Sequence, residues 1–301
     1  MWTVKAPASS ANLGPGFDAL GLAFGIYLTC EFGPAESLSI VVRGRDAEAI
    51  STGADNFIWQ TARRVATNLG QTLPSIRLVI DNDIPLGKGL GSSAAALTVG
   101  VVIADRMLGL GWSRARILDE AARLEGHPDN VAACVLGSIV ASAIDSDGMA
   151  RAVRLEIPET FGAAVVVPDF VWPTREARAA LPTEYSKADC IFNVQRSALL
   201  VAALATGTVS AFPAAFEDRM HQPYRTKLVP GLAKMLQLRA PGLLGCALSG
   251  AGPSILVFFE RGSEGVCELV REIFVQHGHA AEIHHAAVAL DGLTIMESHA
   301  S

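Results

Sequence analysis

A glycine-rich segment in the first third of the chain has the composition of a phosphate-binding loop. Gly87, Gly89 and Gly91 occupy alternate positions, and Ser92 and Ser93 follow directly. Glycine lets a backbone adopt positive φ and approach a bulky anion closely, and the N–H groups at the start of a helix attract phosphate. The segment has neither the Gly-Lys-Ser/Thr order of a Walker A loop nor the glycine spacing of a dinucleotide fingerprint. It therefore predicts a phosphate site of another kind, with a plain turn before a helix as the alternative.

Two further segments combine tight turns with polar side chains. The first lies near the N-terminus, where Asn12 and Asp18 flank the sequence Leu-Gly-Pro-Gly-Phe and could bind an amine or a hydroxyl. The second lies near the C-terminus, where Gly250 and Gly252 stand between two apolar stretches and indicate close approach of the backbone to another group. Taken alone, the first could be an ordinary loop and the second a hairpin turn.

Hydrophobic periodicity in the first half predicts the elements that position these segments. Runs of β-branched and alternating apolar residues predict strands at 38–43, 76–81 and 137–144. Apolar residues at helical spacing predict helices at 56–69 and 114–125. Another helix is predicted to follow Gly91, with Ser92 and Ser93 as caps, and to end near Gly109.

The second half continues the mixture of strands and helices. Strands are predicted at 161–167, 244–248 and 254–259, helices at 186–204 and 265–277, and short strands at the end. The elements are grouped rather than strictly alternating, which favours the α+β class. The turn sequence Asp-Ser-Asp-Gly at 145–148 suggests two packed domains, residues 1–150 and 151–301.

The composition of the whole chain narrows the possible functions. With 301 residues, of which 50% are hydrophobic and 18% charged, the chain should form a compact globular fold. Its net charge of −6 does not favour a nucleic-acid partner, which usually meets a basic face. No apolar run approaches the roughly 20 residues that span a bilayer, and the N-terminus lacks the features of a secretory signal. The five cysteines are scattered without a CxxC pair, so we expect buried, reduced thiols in a cytoplasmic protein.

The glycine-rich segment closely resembles the phosphate loop of the GHMP kinases, whose signature Pro-x-x-x-Gly-Leu-Gly-Ser-Ser-Ala-Ala it matches throughout. That resemblance implies ATP binding by Pro85, Leu86, Gly87, Lys88, Gly89, Leu90, Gly91, Ser92, Ser93, Ala94 and Ala95. It extends to Gly250 and Gly252 in the third motif and to Asn56, at a position that meets the adenine. It also implies a two-domain GHMP kinase fold, with an N-terminal domain like the second domain of ribosomal protein S5 and a ferredoxin-like C-terminal domain. ATP and substrate would meet in the cleft between these domains, and a homodimer is possible.

Four other segments resemble the homoserine kinases within that family, namely residues 7–18, 124–132, 173–178 and 218–225. The resemblance implies L-homoserine as the substrate, contacted by Asn12 and Asp18. An amino acid carboxylate needs cations, which Arg178 and Arg225 could supply through bidentate contacts. The ammonium group needs an acid, either Asp18 or Asp129, which leaves His127 and Asn12 for the side-chain hydroxyl. Without the resemblance, Arg178 could be a solvated helix residue and His127 a structural loop histidine.

Phosphoryl transfer from ATP requires magnesium to bridge the phosphates. The predicted ligands are the Ser93 hydroxyl and, by resemblance, the Glu125 carboxylate, with Asp119 as the rival acid. Several GHMP kinases carry an aspartate base where this chain has Asn130, and an amide cannot take a proton. The resemblance therefore implies a route without a lone base, in which the γ-phosphate helps to remove the hydroxyl proton. His127 and Asn130 are the candidates beside the reacting hydroxyl.

Two other functions stay open at this point. The chain could be another GHMP kinase, acting on mevalonate or a sugar, although the arginine pair and the polar residues at 126–130 argue against it. It could also be a non-catalytic ligand sensor of the same fold, which the intact phosphate loop makes less attractive. The favoured function is ATP-dependent formation of O-phospho-L-homoserine in threonine biosynthesis.

Overall fold

Eleven strands form two β-sheets in the part of the chain that the computed structural model describes, residues 1–172 and 174–297. Pro173, the side chains of Thr174 and Arg175, and residues 298–301 lie outside that description, so the predicted segment 173–178 is placed from Glu176 onwards. The strands are β1 (Trp2–Ala11), β2 (Leu20–Pro34), β3 (Ser39–Gly44), β4 (Ile76–Asn82), β5 (Ile139–Ile144), β6 (Ala150–Leu155), β7 (Phe161–Pro168), β8 (Leu243–Leu248), β9 (Ile255–Glu260), β10 (Ala281–His284) and β11 (Thr294–Glu297).

The long strand β2 is the centre of the first sheet. The sheet runs in the order β11-β1-β2-β4-β3, and β5 pairs with the beginning of β2 while β6 pairs with β5. Its pairings are antiparallel apart from β3 with β4, which are parallel. The second sheet has the antiparallel order β10-β7-β9-β8. Strands and helices are therefore grouped as predicted, and the α+β class is confirmed.

The helices are α1 (Phe57–Asn68), α2 (Ser92–Leu108), α3 (Arg114–Glu125), α4 (Asp129–Leu136), α5 (Thr174–Ala179), α6 (Lys187–Thr206), α7 (Phe212–Ala215), α8 (Gln222–Arg225), α9 (Leu232–Leu236) and α10 (Cys267–Gln276). Helix α2 is the most buried of the long helices, because its apolar residues between Ala94 and Ala104 pack on both the sheet and neighbouring helices. It begins after Gly91, which has a left-handed backbone, and no side chain caps it. The prediction that Ser92 and Ser93 cap this helix is therefore wrong, since they form its first turn.

Four phenylalanines pack together in the larger of two hydrophobic clusters, and this cluster contains residues of both sheets. Phe161 and Phe258 come from the second sheet, Phe212 begins α7, and Phe216 directly follows it. Their ring centroids lie between 5.1 and 6.1 Å apart. The same cluster of buried residues includes Val4 of β1. The two halves are thus packed against each other rather than separated by a linker.

By length and composition alone, helix α6 could cross a membrane, which the sequence analysis did not anticipate. Its contacts are those of a helix in a globular fold. The buried amide of Asn193 donates to the carbonyl of Pro15 over 2.8 Å and accepts from the backbone N–H of Arg219 over 3.0 Å. Its outer face exposes Ile191 and Val194. The helix therefore joins the N-terminal motif to the second half while leaving an apolar stripe open.

Cysteine burial follows the prediction at four of five positions. Cys30, Cys134, Cys246 and Cys267 are buried, and burial raises the pKa of Cys246 to about 12, which keeps its thiol protonated. Cys190 is exposed on α6, so the expectation of burial is wrong for this residue.

Candidate active site

The predicted phosphate loop joins β4 to the start of α2, and its glycines are required by both backbone angle and packing. Gly87, Gly89 and Gly91 have φ values of +67°, +76° and +65°. A Cβ on Gly89 would lie 2.3 Å from the carbonyl oxygen of Ser249, and one on Gly91 would lie 2.0 Å from Oγ of Ser9. Any side chain at these two positions would displace neighbouring chain segments. The loop is therefore fitted closely between the other two motifs.

Hydrogen bonds hold the three sequence motifs together around this loop. The backbone N–H of Ser9 donates to the carbonyl of Leu90 over 3.0 Å. The hydroxyl of Ser249 donates to the carbonyl of Gly89 over 2.7 Å. That hydroxyl also lies 2.9 Å from the hydroxyl of Ser10, and both serines are fully buried. The loop is thus fixed from both halves of the chain before any ligand binds.

A cavity of about 200 Å³ opens in front of the loop and gathers most of the predicted site residues. They come from segments spread over more than two hundred residues of sequence. Its lining includes Asn12, Asp18, Pro85, Gly87, Lys88, Gly89, Leu90, Gly91, Ser92, Ser93, Ala94, Glu125, His127, Asp129, Asn130, Arg178, Arg225 and Gly250. The fold therefore brings the predicted phosphate loop and the predicted substrate residues to one place.

Three predicted residues face elsewhere. Ala95 is fully buried in the core beneath the loop. Gly252 packs behind the loop, where a Cβ on Gly89 would approach its carbonyl oxygen to 2.8 Å. Asp119 accepts hydrogen bonds from Arg116 and from the backbone N–H of Ala150, on the side of α3 that faces β6. Ala95 and Gly252 therefore support the loop rather than line the cavity, and Asp119 is excluded as the acid beside Ser93.

A second cavity, of about 450 Å³, adjoins the first and shares Gly87, Ser92 and Ser93 with it. Asn56 and Leu86, both predicted to bind ATP, also line it. The Asn56 side chain, however, caps α1, because its Oδ1 accepts the backbone N–H groups of residues 58 and 59 at 3.0 and 3.2 Å. Its Nδ2 donates to the backbone carbonyl of residue 51 over 2.6 Å. Asn56 therefore shapes this cavity mainly by fixing the start of the helix.

Asn12 organises the turn that carries Asp18. It has a left-handed backbone with φ of +73° and is buried. Its Nδ2 donates to the carbonyl of Gly250 over 3.0 Å, and its Oδ1 accepts the backbone N–H of Asp18 over 3.0 Å. Oδ1 of Asp18 in turn lies 2.9 Å from Nη2 of Arg178 in an ion pair, with the two side chains 35% and 41% exposed. The predicted acid and the predicted arginine thus neutralise each other in the protein alone.

The junction between α3 and α4 supplies the remaining acids and the histidine. Burial raises the pKa of Asp129 to about 6, although the carboxylate accepts the backbone N–H of Asn130 over 2.7 Å. Burial also raises the pKa of Glu125. Nδ1 of His127 is buried without a hydrogen-bond partner among the described residues and lies 3.9 Å from Oδ1 of Asp129. His127 also lines the cavity, and its Nδ1 is a hydrogen-bonding atom that the described residues leave unused.

Arg225 is the largest of the fully buried side chains in the described structure. Its Nε donates to the carbonyl of Ala177 over 3.1 Å, and its Nη1 lies 2.8 Å from Nδ1 of His221. Burial, followed by the charge of Arg178, lowers the pKa of Arg225 to about 10, so it remains a cation at neutral pH. A buried guanidinium at the cavity wall is a strong site for a carboxylate.

Comparison with known proteins gives the family. The model of the GHMP kinase N-terminal domain matches residues 56–138, and that of the C-terminal domain matches residues 200–275. A homoserine kinase of Solibacter usitatus is 68% identical over 292 residues, which cover 97% of this chain and 96% of that protein. A homoserine kinase of Deinococcus radiodurans is 42% identical over 94% of this chain and 88% of its own length.

The chain belongs to the homoserine kinases of the GHMP kinase family.

Solved structures agree with this membership. The crystal structure of homoserine kinase from Cytophaga hutchinsonii has a TM-score of 0.83 and 26% identity, covering 98% of this chain and 96% of its own. Galactokinase of Lactococcus lactis, at 15% identity and a TM-score of 0.68 over 97% of this chain and 94% of its own, shares the fold. The expected GHMP kinase fold is therefore confirmed.

In this GHMP kinase the lysine of the phosphate loop has a contact that the signature does not predict. Nζ of Lys88 donates to the carbonyls of Pro168 and Phe170, each over 2.8 Å. Burial lowers the pKa of Lys88, while neighbouring acids oppose the shift. The side chain thus ties the loop to the segment that leads towards α5 and Arg178.

Sequence reasoning missed several residues that shape the site of this GHMP kinase. Ser9 and Ser249 hold the loop, while Phe17 and His221 pack beside Arg225. A histidine four residues before Arg225 was a usable signal, because side chains at that spacing are neighbours in a helix, although His221 itself immediately precedes α8. The serines gave no such signal, since their partners are far away in sequence.

Proposed function

We propose that the protein transfers the γ-phosphoryl group of ATP to the side-chain hydroxyl of L-homoserine, giving O-phospho-L-homoserine and ADP for threonine biosynthesis. Its membership of the homoserine kinases supports this activity. The observation that carries the proposal is one cavity in which a phosphate loop faces two arginines and an acid, the groups that an amino acid substrate requires.

ATP would lie across the two adjoining cavities. Its phosphates would bind the backbone N–H groups of the loop between Gly87 and Ser93 and the start of α2, where the helix dipole favours anions. Its base would occupy the larger cavity, where the exposed ring of Phe57 offers a flat apolar surface. The side chain of Lys88 ties the loop to the carbonyls of Pro168 and Phe170 in the second half of the chain.

The amino acid would bind in the smaller cavity by its two charged ends. Arg225 and Arg178 would hold the carboxylate, and Asp18 would hold the ammonium group after separating from Arg178. Asp129 is a second acid for the ammonium group. Binding would thus replace the Asp18–Arg178 ion pair by two pairs with the substrate. The loss of the first pair costs little, because an exposed ion pair contributes little to stability.

The reacting hydroxyl would lie beside His127 and Asn130. The Oδ1 of Asn130 accepts the hydroxyl of Ser9 over 2.9 Å, which fixes the amide beside Gly91. An amide cannot accept the hydroxyl proton, so we propose transfer without a lone protein base. Positioning and electrostatic stabilisation then supply most of the catalysis, as the loose transition state of phosphoryl transfer allows.

We propose Ser93 and Glu125 as the residues that hold magnesium when ATP is bound. The donor set fits, because both residues line the cavity and hydroxyl and carboxylate oxygens are the ligands that magnesium prefers. The Glu125 carboxyl is buried enough that its pKa is raised, so a nearby cation would favour its ionised form. The ion supplies neutralisation of the phosphate charge.

Three broader features are also proposals. We place the domain boundary after Leu155 rather than at residue 150, because β6 pairs with β5 in the first sheet, and β11 returns to that sheet from the second half. We propose a cytoplasmic enzyme without nucleic-acid partners, consistent with its net negative charge. A homodimer is possible, and the exposed apolar side chains of α6 offer a surface for it.

A direct experiment tests the activity. Purified protein is incubated with ATP and magnesium, and ADP release is measured with L-homoserine, L-threonine, L-serine, mevalonate and galactose in turn. Turnover with homoserine well above the others is the expected result. Turnover with mevalonate or galactose instead would retain the fold and overturn the substrate, and ATP binding without turnover would indicate a sensor.

A further inference from the structure

His221 lies directly behind the guanidinium of Arg225 and is fully buried. Its Nδ1 is 2.8 Å from Nη1 of Arg225, and its Nε2 is 2.6 Å from the carbonyl oxygen of Gly14. The ring of Phe17 stacks on the imidazole with centroids 5.2 Å apart and planes 20° apart. The histidine thus connects the first sequence motif, through Gly14 and Phe17, to the arginine at the other wall of the cavity.

These two contacts fix the protonation of His221. A carbonyl oxygen only accepts hydrogen bonds, so Nε2 must carry a proton and donate it in a hydrogen bond to the carbonyl of Gly14. A guanidinium only donates, so Nδ1 must present its lone pair to Arg225. The neutral Nε2–H tautomer satisfies both partners at once. Burial lowers the pKa of His221, an effect that the neighbouring Asp218 opposes and that Arg225 reinforces.

The imidazole also determines which donors of Arg225 remain for a ligand. Nε is used by the carbonyl of Ala177, and Nη1 by His221 and, at 3.4 Å, by the carbonyl of Gly250. Among the described residues no hydrogen bond uses Nη2. Arg225 lines the cavity, so the two N–H groups of Nη2 are available to a bound carboxylate.

We propose that His221 is a positioning residue for the substrate carboxylate, because its Nδ1 lone pair holds the Arg225 guanidinium in the orientation that presents Nη2 to the cavity. This inference rests on the proposed role of Arg225 in binding homoserine. It assigns to an uncharged, buried histidine a part of the specificity for amino acids over amino alcohols. Without the Nδ1 acceptor the Arg225 guanidinium has one hydrogen bond fewer and more conformational freedom. Substrate binding must then restrict that freedom, and this entropic cost weakens binding.

Two conservative variants separate this role from simple packing. In His221→Asn the amide oxygen takes the place of Nδ1 and still accepts from Arg225, but the side chain is too short to reach Gly14. In His221→Gln the terminal amide reaches towards Gly14 but offers no acceptor at the Nδ1 position. A packing role predicts that the larger glutamine is at least as good as asparagine, and the positioning role predicts the opposite order.

The readout is the ratio of kcat/KM for L-homoserine to kcat/KM for 3-aminopropan-1-ol, which lacks only the carboxylate. Where turnover of the amino alcohol is too slow, the ratio of its inhibition constant to KM for homoserine is used instead. Both values come from the same preparation, so the ratio does not depend on the folded fraction. Loss of a hydrogen bond to a charged group lowers such a ratio by roughly 10-fold to 150-fold. We expect His221→Gln to lower the ratio by about that factor and His221→Asn to lower it by less than about threefold.

Arg225→Gln distinguishes failure of the inference from failure of the proposed function. If the ratio fell strongly in Arg225→Gln but fell equally, or not at all, in the two His221 variants, the positioning role of His221 would be overturned and the role of Arg225 would stand. An unchanged ratio in Arg225→Gln would instead remove Arg225 from carboxylate binding. Long-range proton–nitrogen NMR on the unmodified protein gives a second check, because an imidazole with its proton on Nδ1 contradicts the inference even if a variant fails to fold.

Discussion

The ion pair between Asp18 and Arg178 occupies part of the space where we expect the charged groups of the amino acid to bind. Substitution Asp18→Asn removes the carboxylate while keeping the shape of the side chain. We expect a large loss of activity with homoserine and a small loss of stability. These two effects have separate physical origins, and their magnitudes follow from the structure.

The stability term is small because the pair is open to water. The side chains of Asp18 and Arg178 are 35% and 41% exposed, and ion pairs of this kind contribute about 0.2–1 kcal/mol. In the complex the same carboxylate would face the ammonium group of the substrate. Loss of a charge-assisted contact of that kind costs about 1.5–3 kcal/mol, which lowers kcat/KM by roughly 10-fold to 150-fold.

The assay combines urea unfolding with ADP release at varied homoserine concentrations. A matched control is Glu268→Gln in α10, which breaks the exposed ion pair with Arg271 far from the cavity. We expect the two variants to lose similar, small amounts of unfolding free energy, and only Asp18→Asn to lose activity. If Asp18→Asn lost more than about 2 kcal/mol of stability with kcat/KM nearly unchanged, the residue would be structural and the reasoning wrong.

Three further predictions concern the loop, an acid and the metal. Gly89→Ala should raise KM for ATP at least about 10-fold, because its Cβ would meet a carbonyl oxygen at 2.3 Å, as measured by steady-state kinetics. The kcat/KM for homoserine should fall as pH decreases through about 6, because the raised pKa of Asp129 means that its carboxylate is lost there, as a pH profile between 5 and 8 would record. Glu125→Gln and Ser93→Ala should each raise the magnesium concentration needed for half-maximal rate, as a titration with magnesium chloride would measure.

Each of these predictions has a control or a contradicting result. Gly109→Ala has a similar φ of +64° but open space around its Cβ, so it should cost stability without changing KM for ATP. An acidic limb centred near pH 4 would show that Asp129 is not the titrating group. Asp119→Asn should weaken the fold, because it loses the charged oxygen that accepts from Arg116, while leaving the magnesium requirement unchanged.

Local patterns predicted many of the elements well. The helix predicted at 114–125 is α3 itself, and the strand predicted at 76–81 is β4 with one residue added. Gly109 ends α2 in the left-handed conformation that its type suggested. These elements are amphipathic or bounded by glycine, so residues within or directly beside each element determine its periodicity and its ends.

The elements that were missed depend on distant partners. Strand β2 contains three glycines and pairs with three other strands, and α4 begins at Asp129 after a segment that looked like a loop. Some contacts within the site also could not be predicted from the local sequence. The resemblance implied a nucleotide contact for Asn56, and it could not show that the amide of this residue also caps α1. Asp18 and Arg178 were both predicted as substrate residues, but a pattern along the chain could not show that they pair with each other across 160 positions.

The last described strand, β11, pairs with residues 2–5 of β1 and covers that edge of the first sheet. The contact joins positions almost a whole chain apart, so it can form only late in synthesis. Until then β1 presents an unpaired edge, the kind of surface that promotes association between nascent chains. Expression yield should therefore be more sensitive to substitutions in β11 than the small contribution of this strand to the hydrophobic core suggests.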